Sequence, residues 1–299
     1  DTQGRSSSLS RKLIYKPIKP IPPQIMLSIT SPEKDKLISR PTTIITGNYS
    51  STADEAWIKV NDTIALTFGN QFVANEISLK RSSNRVVIYA QDSSGSVGRA
   101  ETIVKMNIGK YVKLGASSTD GTAPLTTFFT LNNETNNELI DYQIDFEGNG
   151  ITTSLGKSFD NITYTYNKEG IFYPQITVKD KQGNIYTDKI AIVVPSKQQL
   201  ENVLKTNWRK MTEALISGDE KTALSYFLPG KQEEYKKKFK DMGIDKIKKM
   251  FSKLSDLRLT RNYGQDASCN VTRIEEGKAY SYPVKYVRNF DGIWKIFWF

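Results

Sequence analysis

The sequence predicts a multidomain chain, two all-β sandwiches followed by an α+β domain, and three observations carry that prediction. Over residues 25–194, short runs of alternating apolar and polar residues are separated by Gly, Asn, Asp and Ser turns, the pattern of half-buried antiparallel strands. At Pro195 and Ser196 the apolar spacing lengthens from every second residue to the helical repeat of about 3.6. The 299 residues exceed one small sandwich and suit about two or three domains.

Composition narrows the function classes. Apolar residues at 38% and charged residues at 25% describe a folded chain rather than a disordered one. No run approaches the ~18 apolar residues of a membrane-spanning helix. The chain opens at Asp1 without a basic and apolar leader, so a secretion signal was removed or never present. The chain has no histidine, which removes Ser-His-Asp and Cys-His catalysis and nearly all zinc sites. The single cysteine, Cys269, excludes an internal disulfide framework and reads as a small buried hydrophobe in the alternating run 267–271. Charge is uneven: net +5 over 1–109, −3 over 110–195 and +8 over 196–299. The basic ends suit an acidic polysaccharide, anionic headgroups or an acidic protein, or are a solvated lysine-rich surface.

Residues 1–24 form a basic, proline-rich arm or linker. Pro17, Pro20, Pro22 and Pro23 exclude a central strand. Leu13-Ile14, Ile18 and Ile21 equip the arm to dock on a neighbour, the alternative being a free tether. Strands are predicted over 26–29, 42–47, 56–60, 64–68, 71–79, 85–90 and 100–107, with Asn61-Asp62 as a hairpin turn and Asp92 to Gly95 as another. Ile29-Thr-Ser-Pro32, Gly47, Val60-Asn61, Phe72-Val-Ala74, Ile77-x-Leu79 and Ala90-x-Asp92-x-x-Gly95 resemble the bacterial Ig-like module similar to the B domain of glucodextranase, over residues 25–109. Asp62 and Arg81-Ser-Ser-Asn84 depart from its turn glycines.

The second region, 110–195, carries Gly121-Thr-Ala-Pro124-Leu, Tyr142-Gln-Ile-Asp145-Phe-Glu147-Gly-Asn149-Gly150, Tyr164-Thr-Tyr166 and Val178-Lys-Asp180-Lys-Gln-Gly183. These segments resemble the polycystic-kidney-disease (PKD) repeat, an Ig-like module of cell-surface and secreted proteins. Ile144 stands where that family has tryptophan, and Tyr164 where it has histidine.

From Ser196 a capping box with Gln199 opens a helix whose apolar face runs Leu200, Val203, Leu204, Trp208, Met211, Leu215 to a stop at Gly218. Three shorter helices follow, marked by Ala223 to Phe227, by Tyr235, Phe239 and Met242, and by Ile247, Phe251 and Leu254. Strands over 256–263, 267–274, 280–287 and 292–299 complete an α+β domain. Trp208-x-x-Met211-x-x-Ala214-Leu215-x-x-Gly218-Asp219, Ala223-Leu224-x-Tyr226-Phe227 and Asp291-Gly292-Ile-Trp294-Lys-Ile296 resemble the NTF2-like superfamily over 196–299. That resemblance implies a cone of helices wrapped by a curved sheet.

Candidate sites are few. Asp145, Glu147 and Asn149 match the opening of a calcium loop, but position 156 is Gly where the closing carboxylate belongs, so an ordinary hairpin competes with a calcium role. Asp92 and Asp180 read as turn-capping carboxylates. Pocket chemistry in the third domain would draw on Asp219, Tyr226, Asp266, Tyr280 and Tyr282, yet none pairs at a spacing that demands it. Lys236, Lys237, Lys238, Lys240, Lys246, Lys248 and Lys249 form a basic strip without the interleaved aromatics that nucleic acid requires. Trp57 and Tyr89, with Tyr49, are the candidates for stacking on a sugar, and core packing is the alternative; alternation puts Trp294, Ile296 and Trp298 on one face. The expectation is a non-catalytic, extracytoplasmic structural or interaction protein that binds a protein partner or its own copy. The alternatives are a polysaccharide-binding accessory region and a small-molecule or catalytic pocket. No cofactor is expected apart from calcium at the one loop.

Overall fold

The computed structural model describes residues 25–53 and 55–299; the expected arm at 1–24 lies outside them. The first sandwich is built from β1 (Met26–Ser31), β2 (Leu37–Ile38), β3 (Thr42–Ser50), β4 (Ala56–Val60), β5 (Thr63–Ile64), β6 (Leu66–Phe68), β7 (Gln71–Ser78), β8 (Ser82–Asp92) and β9 (Val97–Met106). One sheet runs β1-β3-β7-β6 and the other β2-β9-β8-β4-β5. Their inward residues, among them Ile45, Ile58, Phe72, Ile77, Val86 and Ile88, close one apolar core, as alternation on facing sheets requires.

The second sandwich comprises β10 (Tyr111–Ala116), β11 (Leu125–Glu134), β12 (Leu139–Asp145), β13 (Thr153–Gly156), β14 (Thr163–Tyr166), β15 (Gly170–Phe172), β16 (Gln175–Asp180), β17 (Ile185–Lys189) and β18 (Ile192–Val194). Sheets β10-β11-β14 and β13-β12-β16-β17, with the pair β15-β18, enclose Val112, Leu114, Phe129, Ile144, Tyr166, Ile176 and Val178. Both regions are immunoglobulin-type sandwiches, and Ile144, noted in the sequence as a departure from the PKD pattern, is fully buried in the second core.

The last region places α1 (Lys197–Ser217), α2 (Glu220–Ser225), α3 (Gln232–Met242) and α4 (Ile244–Phe251) against the meander of β19 (Arg258–Asn262), β20 (Asp266–Glu275), β21 (Lys278–Arg288) and β22 (Trp294–Trp298). Ser196 accepts a hydrogen bond from the Gln199 N–H, and Gly218, at φ 85°, ends α1 in the left-handed conformation that favours glycine. The interior is filled by rings. Phe299 lies 5.2 Å from Trp208 and 5.3 Å from Tyr235 between ring centroids, with Phe227 and Phe251 also in contact. The Tyr235 hydroxyl accepts from the Phe299 N–H at 2.9 Å and donates to its carbonyl at 3.2 Å.

Candidate functional site

The densest unexplained chemistry among the described residues lies between the domains. In the sheet β1-β3-β7-β6, Ile44 and Val73 point away from the first core, yet both are buried. They pack with Ala191 and Val193 of the second sandwich, flanked by Phe68, Ile171 and Tyr173. The Asn75 side chain completes this contact: its amide donates to the Ala191 carbonyl and its oxygen accepts from the Ala191 N–H, both at 2.9 Å. A side chain thus replaces a missing strand partner for a fully buried peptide unit. Arg40 pairs with Asp188 beside it, and Asp188 also accepts from the Leu114 N–H at 2.7 Å.

Arg288 and Glu55 tie the third domain to both sandwiches. Glu55 accepts from the Trp294 N–H at 2.9 Å and from the Asn207 side chain at 3.3 Å. Arg288 stands 3.6 Å from Asp120, held by charge rather than by a hydrogen bond, and covers the Trp294 ring at 4.9 Å. Burial pushes both Glu55 and Asp120 above the usual carboxylate range, although Arg288 opposes the shift at each and the Trp294 N–H opposes it at Glu55. Gly292, at φ 86°, completes the seam, since a Cβ there would lie 3.2 Å from Trp57. None of Glu55, Asp120, Arg288, Asn75 or Arg40 was singled out from sequence. The available signal was consecutive apolar residues on strands, Ile44-Ile45 and Phe72-Val-Ala74, which need cover on both faces.

Beside this seam lies a cleft of about 570 Å³ between the first sandwich and α1. Tyr49, Trp57 and Phe68 line one side, and Gln199, Asn202, Val203 and Thr206 the other. The three aromatic residues are half-buried.

The residues singled out from sequence fall into several settings. Trp57 and Tyr89 do touch, at 5.5 Å, but their planes are inclined by 47°, so they make no flat platform. Trp57 belongs to the cleft and the seam, whereas Tyr89 is outward and 39% exposed. Trp294 and Ile296 are buried, but a bulge in the β21–β22 pairing sets Trp298 across from Lys285 and leaves it 41% exposed, correcting the expectation of one shared face. Asp145 accepts from the N–H groups of Glu147, Gly148, Asn149 and Gly150. Burial would raise its pKa, but those four donors together hold it below the usual range. Glu147 accepts from the Tyr164 hydroxyl and from Asn149. The three calcium candidates are therefore engaged in bracing a turn. Asp92 and Asp180 cap their own turns through Ser94, Ser96 and Asn184.

In the third domain Asp219 caps α2 by accepting from the Thr222 N–H. Asp266 pairs with Lys285, Tyr226 is half-buried, and Tyr280 and Tyr282 lie exposed on the β20–β21 hairpin. The structure does not bring these five together. Cys269 is fully buried, and burial pushes its thiol up to about 12. The seven lysines of the strip are exposed on α3 and α4, while Tyr235 and Phe239 point inward.

No family model and no curated protein matches the chain. Among solved structures it is similar to the PKD1 domain of the Vibrio cholerae metalloprotease PrtV, at 22% identity over 30% of this chain and 100% of that one, TM-score 0.24. The PKD domain of an M14-like peptidase from a Thermoplasmatales archaeon is similar at 19% identity over 29% and 94%, TM-score 0.25. The fibronectin(III)-like modules of Clostridium thermocellum CbhA are similar at 13% identity over 57% and 94%, TM-score 0.22. The sandwich shapes rest on their own strand orders and cores, to which scores this low add nothing.

Proposed function

We propose that the chain is a non-catalytic, extracytoplasmic structural or interaction protein in which two sandwiches hold an NTF2-like domain in a fixed pose as a docking module. The observation that carries this reading is the interdomain seam. Asn75, Arg40, Glu55 and Arg288 each make polar or ionic contacts across it, which a flexible string of modules would not need. An interior packed with Trp208, Phe227, Tyr235, Phe251 and Phe299 leaves the third domain's centre to side chains rather than to a substrate and supports the non-catalytic assignment. Among the described residues no helix is long and apolar enough to cross a membrane.

The docking face is the lysine strip of α3 and α4, and its partner is an acidic protein surface. Cross-linking of the intact chain in its native envelope is expected to recover one recurrent protein through these helices. Reversing Lys246, Lys248 and Lys249 to Glu is expected to lower that recovery at least tenfold at unchanged thermal stability. A chain that stays monomeric and partnerless, or recovery indifferent to the reversal, defeats the reading. A polysaccharide reading draws on Trp57 in the cleft; quenching of its fluorescence by an oligosaccharide, lost in Trp57→Ala, would favour it.

A further inference from the structure

We propose that the cleft holds a short neutral oligosaccharide bridged between Trp57 of the first sandwich and the polar face of α1, so that the ligand fastens the third domain to the sandwiches. At about 570 Å³ the cleft has the size of a small-ligand site. One of its walls is a helix face. Gln199, Asn202, Val203 and Thr206 stand at i, i+3, i+4 and i+7 on α1, which sets them in a row about 10 Å long. The side chains of Gln199, Asn202 and Thr206 make no hydrogen bond among the described residues. By contrast Asn75, Asn207 and Arg40 are each spent on a partner across a domain boundary. The free amides and hydroxyl of α1 both donate and accept, as every sugar hydroxyl does.

The facing wall supplies the rings. Trp57 is half-buried there, with Tyr49 and Phe68 on the same side, and its indole N–H bonds to no described residue. The carbon-bound hydrogens of a pyranose ring pack on the negative face of such an aromatic. Charge selects a neutral ligand. Glu55 and Arg288 are the charged residues lining the cleft among those described, and their signs are opposite. Glu55 is engaged by the Trp294 N–H and Asn207, and Arg288 faces Asp120 and covers Trp294. Neither offers an ionic ligand an unopposed partner.

The two walls belong to different domains, so a ligand that touches both binds the closed arrangement and not an open one. Binding of that kind stabilises closure by mass action. The pose of the third domain then follows the concentration of the sugar. This inference rests on the polysaccharide reading of Trp57 and is independent of the lysine strip.

The test applies the full chain to an array of short neutral and uronate oligosaccharides and titrates the tightest neutral binder by tryptophan fluorescence. Retention of neutral glycans is expected, with a higher melting temperature and slower hydrogen exchange at Gly292 and along α1 when the sugar is present. Gln199→Ala with Asn202→Ala is expected to weaken binding at least tenfold at unchanged melting temperature of the free chain, since both side chains are exposed. Reversal of Lys246, Lys248 and Lys249 to Glu is expected to leave sugar binding as it is, which separates a failure here from a failure of the docking face. Quenching that is lost in Trp57→Ala but survives the α1 pair keeps the polysaccharide reading and overturns the bridge. Binding that leaves exchange at Gly292 and along α1 unchanged overturns the fastening. Retention of uronates alone overturns the proposal in favour of an anion at Arg288, and retention of no glycan overturns it together with the polysaccharide reading.

Discussion

Glu55 shows how one side chain sets the behaviour of a seam. Its two oxygens serve the Trp294 N–H and Asn207, and burial raises its pKa above the ordinary 4.5. The closed arrangement thus binds a proton more tightly than an open one. Closure gains stability as pH falls through the window from the raised value to about 4.5, and loses it as pH rises through that window. Asp120 adds a contribution of the same sign. Glu55→Gln keeps an acceptor for Trp294 and removes the charge, so melting followed across that window is expected to show a flatter pH dependence, with Asp120's share remaining. Glu55→Ala leaves the Trp294 N–H unpaired and is expected to weaken closure by about 1–3 kcal/mol. A pH profile unchanged in Glu55→Gln would show that the carboxylate does not couple to closure.

At the scale of elements, β22 leads into Phe299, which packs with Trp208, Tyr235, Phe227 and Phe251. Phe299→Ala opens a cavity among α1, α3 and α4, with an expected loss of about 3 kcal/mol in denaturant unfolding of the third domain and little change in the sandwiches. Much at this scale was legible in the sequence. Alternation located most strands of the first sandwich, and Ser196 with Gly218 marked both ends of α1. The two-residue β2 escaped because Leu37-Ile38 is too short to show a period. Trp298 was placed on the wrong face because alternation assumes an unbroken ladder and β22 carries a bulge. The seam itself was the largest omission. A half-buried Glu or Arg, or a buried Asp, looks in sequence like any surface charge, and only the fold brings Arg288 to Asp120, from two domains.

At the scale of the whole molecule, Arg288 is the residue whose loss should loosen the third domain from the sandwiches. Arg288→Ala strands the buried Asp120 carboxylate and uncovers Trp294. The expected cost is about 3 kcal/mol, read as faster hydrogen exchange around Gly292 and around Gly264, whose backbone lies against Asp120, and a larger radius in X-ray scattering, with the sandwich cores still protected. Unchanged exchange at both glycines would mean that the remaining contacts hold the pose unaided. The outward Ile44 and Val73 carry a further consequence. Moved by recombination into another gene without its neighbour, the first sandwich would bring a naked greasy strip and invite clumping. The smallest cassette that evolution can shuffle intact is the pair.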